Sequence, residues 1–277
     1  MSFAIDPAVA HTHAQDCPLP LLWRDEHLVA IYKPAGWLVH RTGLDAGETR
    51  FIVQTLRDQI GQHVFPLHRL DKGTCGVLLL ALHAAAASRT RSQFENHQMG
   101  KRYLAMVRGW APLHAEVDHA LRPDDAPEDA PAQPAQTRFA RLATLEHAEA
   151  YDSRFAGTRL SLVQAEPHTG RRHQIRRHLK HIAHPIIGDA THGKGPLNRW
   201  WAERLGLQRL WLHAWSLSLQ HPYTQAPLHI DSGLRWPSTT PTTGTSDAQS
   251  QSHPSLQQWQ ALLRSPDWAR DEPGLAP

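Results

Sequence analysis

The sequence predicts an α+β fold on a largely antiparallel sheet. Strand-like apolar runs outnumber helical ones, and they are separated by short strand–turn–strand intervals rather than by the strand–helix alternation of a doubly wound sheet. With 277 residues, 40% of them apolar, and 17 glycines, the chain has the composition of an ordinary globular protein with a sizeable core.

Residues 1–20 hold few periodic apolar positions and three prolines, Pro7, Pro18 and Pro20, and read as an N-terminal arm. Structure is expected from Leu21, with a strand over Leu28–Tyr32 stopped by Lys33-Pro34-Ala35-Gly36. Phe51, Ile52, Val53, Leu56 and Ile60 have the spacing of an amphipathic helix over 49–59. A buried strand follows at 77–82, a helix at 84–97 and an alternating strand at 101–109. Residues 122–136 form an acidic loop punctuated by proline, with one arginine and four acids. Strands are expected at 137–147 and 158–166, a basic helix at 173–183, and a last apolar pair of strands at 208–219. The Ser/Thr/Gln/Pro-rich stretch 237–253 reads as disordered. A short helix over 255–264 could dock through Leu256, Trp259 and Leu263. The domain organisation is therefore an arm at 1–20, one folded domain at 21–236 and a largely disordered tail at 237–277.

Several function classes are excluded. No apolar run approaches the roughly 20 residues of a membrane span; the longest in the core, Val77–Leu82, is strand-sized. No basic flank precedes an apolar stretch at the N-terminus, so no secretory signal is read. Two cysteines, Cys17 and Cys75, make neither a disulfide framework nor a four-thiolate zinc site. A soluble cytoplasmic protein with no obligate protein partner is expected. The net charge is +3, and only five of the 29 basic residues are lysine. The acidic loop carries −3, which leaves +6 on the remainder. Arginine's planar fork suits phosphate and base recognition, although a GC-rich genome would enrich arginine equally.

Three segments carry chemistry. In His68-Arg69-Leu70-Asp71-Lys72-Gly73-Thr74-Cys75-Gly76, an acid stands before a tight glycine turn that feeds a buried aliphatic strand. Asp71 reads either as a rigidly held catalytic carboxylate or as a turn aspartate. His168–Lys180 holds Arg171, Arg172, Arg176, Arg177 and Lys180 and no acid. Its helix N-terminus can receive phosphate oxygens, and like charges at Arg172 and Arg176, four apart, call for an anionic partner. In Lys101–Gly109, Tyr103 stands among basic residues and reads either as a base-stacking ring or as core. A metal site on His173, His178, His181 and His184 has no supporting Cys pair or His-Glu-x-x-His, and with 21 histidines chance clusters are expected. No metal or organic cofactor is expected. The ten tryptophans read mostly as core.

Together these segments resemble the pseudouridine synthases of the ribosomal large-subunit type. Lys33-Pro34-Ala35-Gly36 is similar to that family's first motif, His68–Gly76 to its His-Arg-Leu-Asp signature, and Lys101-Arg102-Tyr103 to its tyrosine motif. Thr169–Arg176 and His184–Asp189 complete the pattern, which runs from about Leu22 to Leu234. Cys75, Arg172, Ala183 and His192 depart from the family's usual residues. The resemblance implies a pseudouridine synthase fold, with a mainly antiparallel central sheet, flanking helices and an active-site cleft. It implies Asp71 as nucleophile, Arg176 as its ionic partner and Tyr103 as the ring that stacks on uracil. Arg69 would fill the gap left by a flipped nucleotide, and Ile175 would pack on the base. Arg171, Arg172, Arg177 and Lys180 would bind RNA. The segments Gly36–Arg41, Arg57–Phe65 and Gly206–Leu210 are most similar to the branch that modifies tRNA at position 65. A synthase acting on ribosomal RNA, or a non-catalytic RNA-binding protein on the same fold, is the alternative.

Overall fold

Leu21–Arg24 (β1) and Leu28–Lys33 (β2) pair antiparallel across a turn in which Asp25 Oδ1 accepts the backbone N–H groups of His27 (2.8 Å) and Leu28 (2.7 Å). This is a computed structural model, which describes residues 18–41, 47–96, 98–124, 126, 127, 129–235 and 253–271. The described residues divide into two compact units, one of 18–101 with 213–264 and the other of 102–212 with 265–271. Most of the expected arm, the stretch 237–252 and Cys17 lie outside the described residues.

In the first unit, every residue of β2 is buried. The same holds for its antiparallel partner Cys75–Ala81 (β4), which explains why 28–31 and 77–81 read as unbroken aliphatic runs. Helix α1 (Ile52–Ile60) buries Ile52 and Leu56 and ends at Gly61, whose φ of 66° allows a left-handed cap. Phe65–Pro66 (β3) adds to β4. Helix α2 (Ala84–Glu95) starts at His83, whose side chain accepts from the Ala86 N–H. Leu28, Ala30, Val77, Leu79, Ala86, Ala87, Leu217 and Ile230 share one apolar core.

The second unit takes most of β5 (Gly100–Arg108). It is an antiparallel meander in which β5 pairs with Thr158–Pro167 (β8), β8 with Gln136–His147 (β7), and β7 with His114–Asp118 (β6). The basic helix contracts from the expected 173–183 to Gln174–His181 (α3), because His173 (φ 53°) and Ala183 (φ 67°) turn left-handed at its two ends. Helix α4 (Gly195–Leu205) has no counterpart in the sequence reading. It has proline in its first turn and Gly206 just past its end, and it buries Leu197, Trp201 and Leu205 on one face.

The pair of strands expected at 208–219 is corrected to one strand there, β9 (Leu212–Gln220). Its antiparallel partner is β10 (Pro227–Asp231). Just before β9, Gly188 approaches the chain closely, and a Cβ there would stand 1.7 Å from the Arg209 carbonyl oxygen. Back in the first unit, β9 runs parallel to β4 through Cys75–His213 and Gly76–Ala214.

Helix α5 (Pro254–Leu263) buries Leu256, Trp259, Leu262 and Leu263. Trp259 is fully buried, edge-on to His213 at 5.6 Å. The chain then continues in the second unit, where Ala269–Arg270 (β11) pairs with β7 and Asp271 forms a bidentate pair with Arg141 (2.8 and 3.0 Å). Among the described residues no helix is long and apolar enough to cross a membrane.

Two substitutions test this architecture by denaturant unfolding. Trp259→Ala empties a fully buried site and should cost about 3–5 kcal/mol. Gly76 has φ 111°, and a Cβ there would lie 2.1 Å from the Ala214 carbonyl oxygen. Gly76→Ala should therefore cost more than about 2 kcal/mol.

Candidate active site

Asp71 stands half-buried at the head of a tight turn, its carbonyl accepting the Thr74 N–H at 3.0 Å. The turn is held from beneath by Lys33, the last residue of β2. This lysine is fully buried, and its ammonium donates to the carbonyls of Pro34 (2.8 Å), Thr74 (2.7 Å) and Lys72 (3.3 Å). Gly36 N–H also donates to the Lys72 carbonyl, at 2.7 Å. An ammonium in an apolar interior needs such partners to replace its water. On the other side, Cys75 Sγ lies 3.2 Å from His213 Nδ1, whose Nε2 is 2.8 Å from Ser232 Oγ. Ser255 Oγ of α5 accepts the Ala35 N–H at 3.2 Å. Lys72 forms an ion pair with Glu48 on the surface.

His68, three residues before Asp71, accepts the Leu79 N–H through Nε2 at 3.0 Å and stacks on Phe94. Burial, with the nearby Lys101 charge adding, pushes its pKa down to about 3. It is a neutral acceptor that fixes the strand edge. Arg69, between the two, is exposed.

The remaining residues singled out by sequence lie in the second unit. Tyr103 is half-buried on β5, opposite Ala165 of β8. Helix α3 is entered through a closed turn, in which Gln174 Oε1 accepts from Thr169 Oγ1 (2.6 Å) and from the Arg171 N–H (3.0 Å). Ile175 and Arg176 are buried, Arg171 and Arg177 half-buried, and Arg172 and Lys180 exposed.

The expectation that Arg172 and Arg176 lie four apart on one face of a helix is corrected. Arg172 precedes the helix, and Arg176 points inward to a bidentate pair with Asp189, Nε–Oδ2 2.7 Å and Nη2–Oδ1 2.8 Å. Burial pushes the Asp189 carboxyl up, but the hydrogen bonds from Arg176, His192 N–H and Thr191 N–H outweigh it and hold it below its usual range. Asn198 fixes the same loop by accepting from Gly188 N–H and donating to the Asp189 carbonyl, each at 2.9 Å.

Asp189 is the residue the sequence reading missed. It stood inside a recognised segment, and a Gly-Asp pair following a buried Pro-Ile-Ile run was its signal. Of the four histidines weighed for metal, His178 is buried and bonded to Thr137 Oγ1 and the His119 carbonyl. A different trio, Asp124, His173 and His192, brings its ligand atoms within 4.8 Å of one another. Arg172 and Arg177 lie 3.6 and 3.2 Å from the Asp124 carboxylate, so the local field suits an anion better than a cation.

Two predictions follow from these bonds. A histidine kept neutral by folding contributes stability that is complete above its ordinary pKa of 6.5 and is lost as pH falls from there toward about 3. His68→Gln should therefore flatten the acid branch of the stability–pH curve between pH 6.5 and 4, measured by urea unfolding across that range. Asp189→Asn removes one charge of a buried pair and should cost about 3–5 kcal/mol at pH 7.

Comparison with known proteins adds the family. Residues 27–181 match the model of the family described as RNA pseudouridylate synthase. The chain is 51% identical over 224 residues to the tRNA pseudouridine synthase C of Vibrio cholerae, covering 78% of this chain and 91% of that protein. It is 50% identical over 223 residues to the Salmonella typhimurium protein of the same name, covering 78% and 85%. Among solved structures, Human RNA Pseudouridylate Synthase Domain Containing 1 superposes with a TM-score of 0.61 at 23% identity, covering 91% of this chain and 89% of that one. Human RNA Pseudouridylate Synthase Domain Containing 4 does so with 0.57 at 26% identity, covering 76% and 87%.

Proposed function

The chain belongs to the RNA pseudouridylate synthase family and is an isomerase that makes pseudouridine, and from that premise we propose that its substrate is tRNA. One observation carries this reading: about half of the residues are identical to proteins named tRNA pseudouridine synthase C, over nearly the whole of those proteins. In this reading residues 21–236 are the catalytic domain and the enzyme works in the cytoplasm, where its substrate is.

The reaction breaks the N1–C1′ glycosidic bond of a uridine, turns the uracil and joins C5 to C1′; the C5 proton is lost and N1, freed from the sugar, takes one up. It is an isomerisation and needs no electron acceptor. Asp71 is the nucleophile, attacking C1′ of the ribose or C6 of the uracil. Its support is the braced turn, since a carboxylate must be held still to attack one atom of a flipped nucleotide. Arg176 is the ionic partner of Asp71 in this reading, and Asp189, bonded to Nε and Nη2, fixes the plane of its fork. Tyr103 stacks on the uracil and helps remove the C5 proton. Ile175 packs on the base, and Arg69 occupies the place the base leaves, offsetting part of the few kcal/mol that flipping costs. Arg171, Arg172, Arg177 and Lys180 hold phosphates, which fix register without reading sequence.

Purified protein incubated with tRNA transcripts and with ribosomal RNA fragments should place pseudouridine in tRNA. Modification confined to ribosomal RNA would overturn the substrate and leave the chemistry standing. Asp71→Asn should abolish product while tRNA affinity stays within about threefold, because phosphate contacts dominate binding. Turnover above a tenth of wild type in that variant would remove Asp71 as nucleophile. Arg176→Ala should lose most activity and also stability, whereas Arg177→Ala should weaken RNA binding and leave the melting temperature close to wild type.

A further inference from the structure

The acidic loop lies on the basic residues around the start of α3. Arg171 Nε donates to the Pro134 carbonyl at 3.1 Å, and Arg177 Nη1 to the Arg122 carbonyl at 2.6 Å. Among the described residues of the loop, Asp124 is the carboxylate set against these cations. Asp124 Oδ2 is 2.9 Å from His173 Nδ1 and 3.6 Å from Arg172 Nε, and its Oδ1 is 3.2 Å from Arg177 Nη1. One anionic group therefore receives two guanidinium groups and an imidazole beside the N-terminal turn of a helix. That is the donor set a phosphate takes, and a carboxylate offers it the same kind of oxygen acceptor.

The loop does not need this contact to close. Leu121 and Gln133 exchange both backbone hydrogen bonds across its base, at 2.8 and 3.0 Å. Within it, Ala126 N–H donates to the Pro123 carbonyl and Ala130 N–H to the Pro127 carbonyl. Asp124 is thus set on the cations by a loop that its own backbone holds shut. His173, which turns left-handed with φ 53°, brings its ring to the same carboxylate.

We propose that Arg172, His173 and Arg177 form a binding site for a backbone phosphate of the substrate RNA, and that Asp124 occupies this site in the free protein and yields it when RNA binds. The proposal rests on the reading that the substrate is RNA. A carboxylate seated there lowers the fraction of protein ready to bind by the weight of the closed state, so removing it raises apparent affinity. It also screens these cations from unspecific polyanions, which lack the further contacts needed to displace it.

The test uses the full chain as wild type, Asp124→Ala, Asp124→Asn and, as a control for bulk charge, Asp129→Ala on the same loop. Thermal shift with inorganic phosphate at constant ionic strength is the first arm, and the affinity for a tRNA transcript is the second. Both Asp124 variants should respond to phosphate and bind tRNA about three- to tenfold more tightly than wild type, with Asp129→Ala within about twofold. Equal behaviour of Asp124 and Asp129 variants would overturn the proposal, as would weaker binding by the Asp124 variants or no change in either arm. If the phosphate arm gives the expected order while no variant binds tRNA, the phosphate site stands and the tRNA reading falls.

Discussion

A buried ammonium governs the architecture of the first unit. Lys33 has no solvent, so its charge must be met by carbonyl oxygens, and three of those belong to Pro34 and to the turn that carries Asp71. The demand runs both ways. The carbonyls of Lys72 and Thr74 point inward because a cation is there, and that inward set fixes the path of the turn at whose head Asp71 stands. The remaining braces, Gly36 on Lys72, His213 on Cys75 and Ser255 on Ala35, act on the same few residues. Rigidity at this point comes from ordinary polar satisfaction repeated from several directions.

The second unit solves a related problem with arginine. Sequence reasoning noted that like charges on the His168–Lys180 segment require an anion, and took it to be nucleic acid, apart from Arg176, which the resemblance paired with Asp71. Two internal carboxylates meet that requirement, Asp189 at Arg176 and Asp124 at Arg172 and Arg177. They differ in kind. Asp189 is sealed in and bonded through both oxygens, which makes Arg176 a fixed fork. Asp124 lies on the surface in a loop, where a competing anion can reach it.

Much of the fold was legible because strands such as 77–82 are buried on both faces and read as aliphatic runs, and because the β7–β8 meander alternates. The ends of α3 were not, since the left-handed turns at His173 and Ala183 are set by tertiary contacts and not by residue type. Helix α4 escaped because its adjacent tryptophans, Trp200 and Trp201, read as core aromatics and obscure the helical spacing of Leu197, Trp201 and Leu205, although proline at its start and glycine past its end mark it. Motif order made Asp71, Tyr103 and Arg176 stand out. Asp189 and Asp124 did not, because a carboxylate's partner lies across space: Asp189 is thirteen residues from Arg176 and held by a separate loop. The opposite charges of the 122–136 loop and of the arginine segment were the only sequence-level hint of the second contact.

The bond from Ala35 to Ser255 joins residues 220 positions apart. At a synthesis rate of about 5–20 residues per second, the helix that carries Ser255 and Trp259 emerges on the order of ten to forty seconds after the strand it completes. Through that interval β2, and then the Asp71 turn and β4, exist without this layer, and His213 waits over its last part for the indole that covers it. The nascent chain must therefore hold the apolar surface that Leu256, Trp259, Leu262 and Leu263 cover unsatisfied until residues 254–263 arrive. Maturation of the catalytic turn becomes a late event in the life of each molecule, and a chain that stalls before residue 253 is left with its first unit open to chaperones and proteases.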